Sequence, residues 1–192
     1  FDGKDDFLHL AGAPLWAQGF SLFVVASDRG TTTKHRAIIS NWHRRGRSTT
    51  SFFFGLTGKS NIRLSDAFAP AGSLKNPVTP FLLSGFNSNQ GASTYQGRTL
   101  LASAGQLPKR DIAGPYVVGV QGNYGTEYWN GDIAELILFA RALSETEREA
   151  VWKYLANRYQ LKLGAQPDDS QHLALASLCH VLMNTNEFLY ID

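Results

Sequence analysis

The stretch that decides the fold is GDIAELILFARALSETERE, residues 131–149. Its first half alternates like a strand, with Ile133, Glu135, Ile137 and Phe139 on one face and Ala134, Leu136, Leu138 and Ala140 on the other. The second half turns into a helix with no Gly or Pro at the junction. Ser144 followed three positions on by Glu147 makes a capping box, in which the hydroxyl accepts from the third helical amide and the carboxylate returns to the cap amide. Glu145, Glu147 and Glu149 suit the positive end of the helix dipole. Val151, Trp152, Leu155 and Tyr159 continue as a narrow apolar stripe. The helix, expected over 144–161 with Gly164 as cap or linker, should therefore lie against the body that the preceding strand belongs to.

Working upstream, short apolar runs recur between polar turns: FLHL (7–10), FSLFVVAS (20–27), RAIISNW (36–42), SFFFGL (51–56), TPFLLSGF (79–86), RTLLAS (98–103), YVVGVQG (116–122) and DIAELILFA (132–140). Their β-branched and aromatic content and even spacing predict an all-β sandwich or barrel. The strand–helix alternation of a parallel sheet is missing. DRGTTTKH, HRRGRSTT, GFNSNQGAS and QGNYGTEYWNG read as rim connections.

The 192 residues, 43% hydrophobic and 18% charged, support one domain with an appendage. Residues 1–144 carry 14 basic against 9 acidic side chains, and 145–192 carry 4 against 7. Neither balance makes the dense basic stripe of a nucleic-acid surface. One cysteine, Cys179, excludes an intrachain disulfide and CxxC chemistry. No apolar run reaches membrane-spanning length, and FDGKDD is not a signal peptide, so any targeting signal is expected upstream.

FDGKDDFLHL at the start, YQG at 95–97, Gly131-Asp132-Ile133-Ala134-Glu135, the Arg141-Ala142-Leu143-Ser144 turn with Glu147-Arg148, and the Tyr154-Leu155 to Arg158-Tyr159 helix together resemble bacterial laminin-G-like domains of the concanavalin A-like superfamily. The resemblance spans residues 1–163. It implies an antiparallel two-sheet jelly-roll β-sandwich with one concave face, a structural strand-to-helix closure, and a family that mostly binds glycans or proteins. Two features depart from it: Ala134 stands where many relatives have Asp, and TPFLLSGF replaces a Trp-His-Val run. Residues 164–192 form a linker and an apolar helical tail, and QHLALASLCHVLMNTNEFLYID (171–192) resembles the C-terminus of an uncharacterised planctomycete multidomain family. That implies a parent protein with further domains, secreted, periplasmic or on the cell surface.

Glycan binding needs an aromatic plate for a sugar face and a few fixed hydrogen-bonding groups. Trp42 with His43, Arg44, Arg45 and Arg47 on one loop, and Tyr124, Glu127, Tyr128 and Trp129 on another, offer both. Rim or core packing is the competing reading for Trp42 and Trp129. The arginines suit an acidic or sulfated polysaccharide. A structural calcium, which the superfamily often carries at the rim, would take oxygen ligands from Asp2, Asp5, Asp6 and Asp132. Retaining glycosidases place two carboxyls about 5–5.5 Å apart, and the Glu-x-Asp-x-x-Glu strand of jelly-roll glucanases is missing. Asp132 and Glu135, three apart, are expected on opposite faces. The sequence therefore points to a non-catalytic carbohydrate- or ligand-binding module. The alternatives are a structural or protein-interaction domain and a divergent glycoside hydrolase. Glu135, a carboxylate on an apolar strand, is expected to be paired with an Arg or with rim amides.

Overall fold

The computed structural model describes residues 1–10, 19–30, 35–41, 52–58, 60–65, 67–108, 116–122 and 126–164. Among them the chain forms β1 (Leu8–Leu10), β2 (Phe20–Asp28), β3 (His35–Ser40), β4 (Phe53–Thr57), β5 (Asn61–Leu64), β6 (Phe81–Ser88), β7 (Gly91–Gln96), β8 (Thr99–Ala104), β9 (Tyr116–Val118), β10 (Gly131–Phe139) and α1 (Glu145–Tyr159). Two five-stranded antiparallel sheets result, ordered β1-β9-β3-β4-β5 and β10-β2-β6-β7-β8. The fold is an all-β two-sheet sandwich with a C-terminal helix.

Two apolar layers hold it together. Between the sheets, Leu22, Val24 and Leu83 of the second sheet meet Phe54, Leu56, Ile62 and Tyr116 of the first, all buried. On the outer face of the second sheet, Phe23, Val25, Leu82 and Phe86 pack under Leu143, Trp152 and Leu155. Strand β2 is consequently buried on both sides along its whole length. This is why its sequence runs FSLFVVAS without the alternation of a half-exposed strand.

Strand β10 corrects the simple alternation read from its sequence. Ile133 pairs with Ala26 but Glu135 with Val25, so Ala134 is the extra residue of a β-bulge. Ala26 faces the inter-sheet core and Val25 the helix layer. The bulge therefore sends Ile133, Leu136 and Leu138 to the core, while Glu135, Ile137 and Phe139 lie on the helix side. It also overturns the opposite-face expectation for Asp132 and Glu135: opposite Ser27 and Val25, they share the outer face two rungs apart.

GFNSNQGAS, read as a rim connection, holds the tight hairpin joining β6 to β7, and β5 was not expected at all. Helix α1 has both halves of its capping box: Glu147 N donates to Ser144 Oγ, and Ser144 N donates to the Glu147 carboxylate. The helix ends at Tyr159, close to the expected 161, and its cap is Gln160 in the left-handed conformation, which leaves Gly164 beyond it. Trp152 anchors it, its ring 6.1 Å from Phe86 and 5.3 Å from Tyr95, with its indole N–H donating to Ser84 Oγ. At one end of the sandwich Arg36 and Asp28, 3% and 1% exposed, form a two-point ion pair of 2.9 and 2.7 Å.

Candidate functional site

Among the described residues α1 lies over the second sheet and no helix lies over the outer face of the first, whose strands β3, β9 and most of β4 are nonetheless buried on both sides. The central strand of the first sheet, β3, roots the first loop singled out in the sequence, and the neighbouring β9 roots the second. Asn41, at the end of β3, exchanges hydrogen bonds with Phe52, closing the base of the loop that carries Trp42. The second loop leaves β9 at Gly119 and is closed where Trp129 N donates to Gly119 O at 2.8 Å. Its described ends run beside β3: Ser40 Oγ donates to Val120 O, and Ala37 N to Glu127 O.

Trp42, His43, Arg44, Arg45, Arg47 and Tyr124 lie outside the described residues. Glu127 is 12% exposed and sits 3.5 Å from Nδ1 of half-exposed His35. Tyr128 is half-buried beside it. His35 meets the edge of Phe53, whose ring also carries the Arg63 guanidinium at 5.7 Å. A carboxylate, an imidazole and a guanidinium thus gather around buried Phe53 on the first sheet, with His35 the half-exposed member. Trp129 does not join them. It is fully buried, with its indole N–H donating to Ser27 O at 3.2 Å. As an exposed plate for a sugar it is corrected: the ring is buried in the inter-sheet core.

The acidic candidates separate as well. Asp2, Asp5 and Asp6 come together, exposed, with one oxygen of each within 4.8 Å of the others. Such oxygens fit the donor chemistry of a calcium ion. Asp132 is not among them. It accepts from Arg29 and Ser27, and the Arg29 bond holds its carboxyl below the ordinary range. Glu135 accepts from Tyr159 Oη at 2.9 Å and lies 3.2 Å from Arg158 Nε, with Tyr154 Oη at 3.3 Å. The two carboxylates that the bulge puts on one face are each bound to a different cation, and Glu135 serves as a clamp on the end of α1.

Sequence reasoning missed a cleft of about 450 Å³ where the 75–80 segment, the β7–β8 turn and the chain leaving α1 meet. Its lining includes Lys75, Lys162, Thr79 and Thr99. No single motif marks it, because it joins three segments distant in sequence.

No protein-family model and no curated protein matches the chain. Solved structures do. Domain 4 of the GH43 extracellular arabinanase AbnA from Geobacillus stearothermophilus, in complex with arabinotriose, aligns with a TM-score of 0.55 at 14% identity, over 79% of this chain and 74% of that one. The CBM40 of a Ruminococcus gnavus IT-sialidase aligns at 0.54 and 13%, over 77% and 96%; it is also solved bound to α2,3-sialyllactose. The NanB sialidase of Streptococcus pneumoniae aligns at 0.53 and 16%, over 71% of this chain but only 24% of the sialidase. At such identities the likeness establishes the β-sandwich fold.

Proposed function

We propose that the chain is a non-catalytic carbohydrate-binding module of a larger exported protein, belonging to the laminin-G-like branch of its fold. The observation that carries the reading is a sandwich shared with modules solved on arabinotriose and sialyllactose, in which the outer face free of the helix carries Glu127, His35 and the roots of the Trp42 and Tyr124 loops. Trp42 supplies the ring plate. The arginines of 44–47, with Glu127 and Tyr128, supply hydrogen bonds and favour an acidic glycan. Asp132 and Glu135, on the outer face of the second sheet, are engaged by Arg29 and Arg158, so neither offers a free carboxylate for glycosidic chemistry. The remaining domains of the parent protein are the other expected partners.

A glycan-array and polysaccharide screen of the purified chain tests this, run with calcium and with a chelator, and including sulfated and uronic-acid polymers. Binding should appear, and Trp42→Ala should weaken it at least about tenfold, or 1.4 kcal/mol. A calcium-dependent melting temperature, lost in Asp5→Asn, would place the ion at Asp2, Asp5 and Asp6. Silence across the array overturns the carbohydrate reading and leaves a structural domain as the better account.

A further inference from the structure

The 450 Å³ cleft is a second site, remote in sequence from the Trp42 and Tyr124 loops. Its size falls in the range of about 300–1,000 Å³ usual for small-ligand sites. Its walls are tied together by backbone. Gln96 Nε2 donates to Lys75 O at 2.8 Å while Lys75 N donates to Gln96 Oε1 at 2.9 Å, which fixes the 75–80 segment to β7. Opposite, Arg98 N donates to Leu163 O at 2.8 Å and Arg98 Nη1 to Gly164 O at 3.1 Å, which pins the chain leaving α1 to the β7–β8 turn. That approach requires Gly97: at φ +57° a Cβ there would lie 2.6 Å from Leu163 O. The cleft is therefore preformed.

Its chemistry has one sign. Leu82 and Leu101 give an apolar lining, Thr79 and Thr99 line it with hydroxyl-bearing side chains, and Lys75 and Lys162 come from different walls. No Asp or Glu lines it among the described residues, and neither lysine holds a carboxylate there. The contrast with the rest of this layer is sharp, since Arg98, Arg141, Lys153 and Arg158 each hold a glutamate. Lys75 and Lys162, both exposed, bring two ammonium groups to one cavity, and an anion held there would be attracted by both.

We propose that this cleft binds an anionic saccharide residue, a uronate or a sulfated sugar, with its ring against Leu82 and Leu101 and its acid group between Lys75 and Lys162. The saccharide as carrier of the charge rests on the carbohydrate-binding reading; the demand for an anion rests on the two lysines. The test is calorimetric titration of the full chain with an oligogalacturonate, a sulfated oligosaccharide, a neutral oligosaccharide of equal length, and inorganic sulfate. The wild type is compared with Lys75→Gln/Lys162→Gln and with Trp42→Ala. At least one anionic oligosaccharide should bind in a salt-sensitive way, lose at least about tenfold in affinity in the double-lysine variant, and be held by Trp42→Ala with the cleft affinity unchanged. Both exposed lysines can be replaced without touching the core, so unchanged thermal unfolding certifies the variant. Equal affinity with and without the lysines overturns the proposal. So does inorganic sulfate binding as tightly as the saccharide, which would reduce the site to an anion hole. Glycan binding that responds only to Trp42→Ala also refutes the cleft, yet leaves the carbohydrate-binding reading standing.

Discussion

Deleting Ala134 should leave the protein folded, with only a small loss of stability. With the bulge present, Ile133 opposes Ala26 and Glu135 opposes Val25. Remove the exposed Ala134 and those pairings become a regular ladder: every side chain from Gly131 to Phe139 keeps its face. What is lost is the contact of Tyr159 Oη with Ala134 O, an exposed 3.3 Å hydrogen bond, and the local twist of the bulge. An exposed bond of this kind contributes about 0.5–1.5 kcal/mol. A strand alternating strictly, as the sequence alone suggests, would behave differently. There Ile133 and Glu135 share a face, and the deletion would put one half of the strand on the wrong one, either taking buried aliphatics out of the core or forcing the Glu135 carboxylate into it. Losing a buried aliphatic costs about 2–5 kcal/mol, and burying an unpaired carboxylate costs several more. Urea unfolding followed by tryptophan fluorescence and far-UV circular dichroism separates the two cases. A loss above about 3 kcal/mol, or a chain that fails to fold, would refute the bulge assignment.

Further outcomes follow from the same packing. Arg36→Met strands Asp28 as a buried, unpaired carboxylate and should cost about 3–5 kcal/mol in chemical denaturation, whereas Arg36→Met with Asp28→Leu should recover most of it. Trp152→Ala empties the centre of the helix layer and leaves Ser84 Oγ without its indole donor; about 3–5 kcal/mol should go, with loss of helical signal. Ser144→Ala removes the cap acceptor for Glu147 N and should cost about 1 kcal/mol, read as a lower thermal midpoint. Glu147 is lowered to about 2 by its bond to Arg141 and by the Ser144 amide. A folded-state value below the unfolded one stabilises above the unfolded value and is lost as pH falls. The cap should therefore weaken between about pH 4.5 and 2, visible as a low-titrating Glu147 carboxyl in NMR.

Much of the sandwich was legible because its central strands are continuous apolar runs between Gly, Asn and Ser turns, and the helix start was legible because a capping box is a local signal. Strand β7 was hidden for a physical reason. Its inner residues are small or polar, Ala92 and Thr94, since the Ala71 segment approaches closely enough for Thr94 Oγ1 to donate to Ala71 O. GASTYQ therefore carries no apolar period. The bulge in β10 was invisible because alanine fits either face, and only the register with β2 shows which residue is extra. Trp129 misled for the opposite reason: an aromatic residue in a polar loop looks like a surface plate, but the loop closes on Gly119 and returns the ring to the core. The cleft escaped because Lys75, Thr99 and Lys162 meet only once α1 has set the path of the chain that leaves it.

That last dependence ties the opening stretch to the binding surfaces. The bulge at Ala134 turns Glu135 to the outside, where Arg158 and Tyr159 grip it. This clamp fixes the C-terminal turn of α1 against the edge strand β10, while Trp152 fixes its middle against β6 and β7. With both anchors set, Leu161 to Gly164 can only descend onto the β7–β8 turn, where Arg98 receives it. The helix thus does two things to function. It covers the outer face of the second sheet, and its exit segment builds a cleft at the margin of that face. The cleft beside the second sheet is then a consequence of the same closure, since its Lys162 wall is positioned by Glu135, a carboxylate that does not line it.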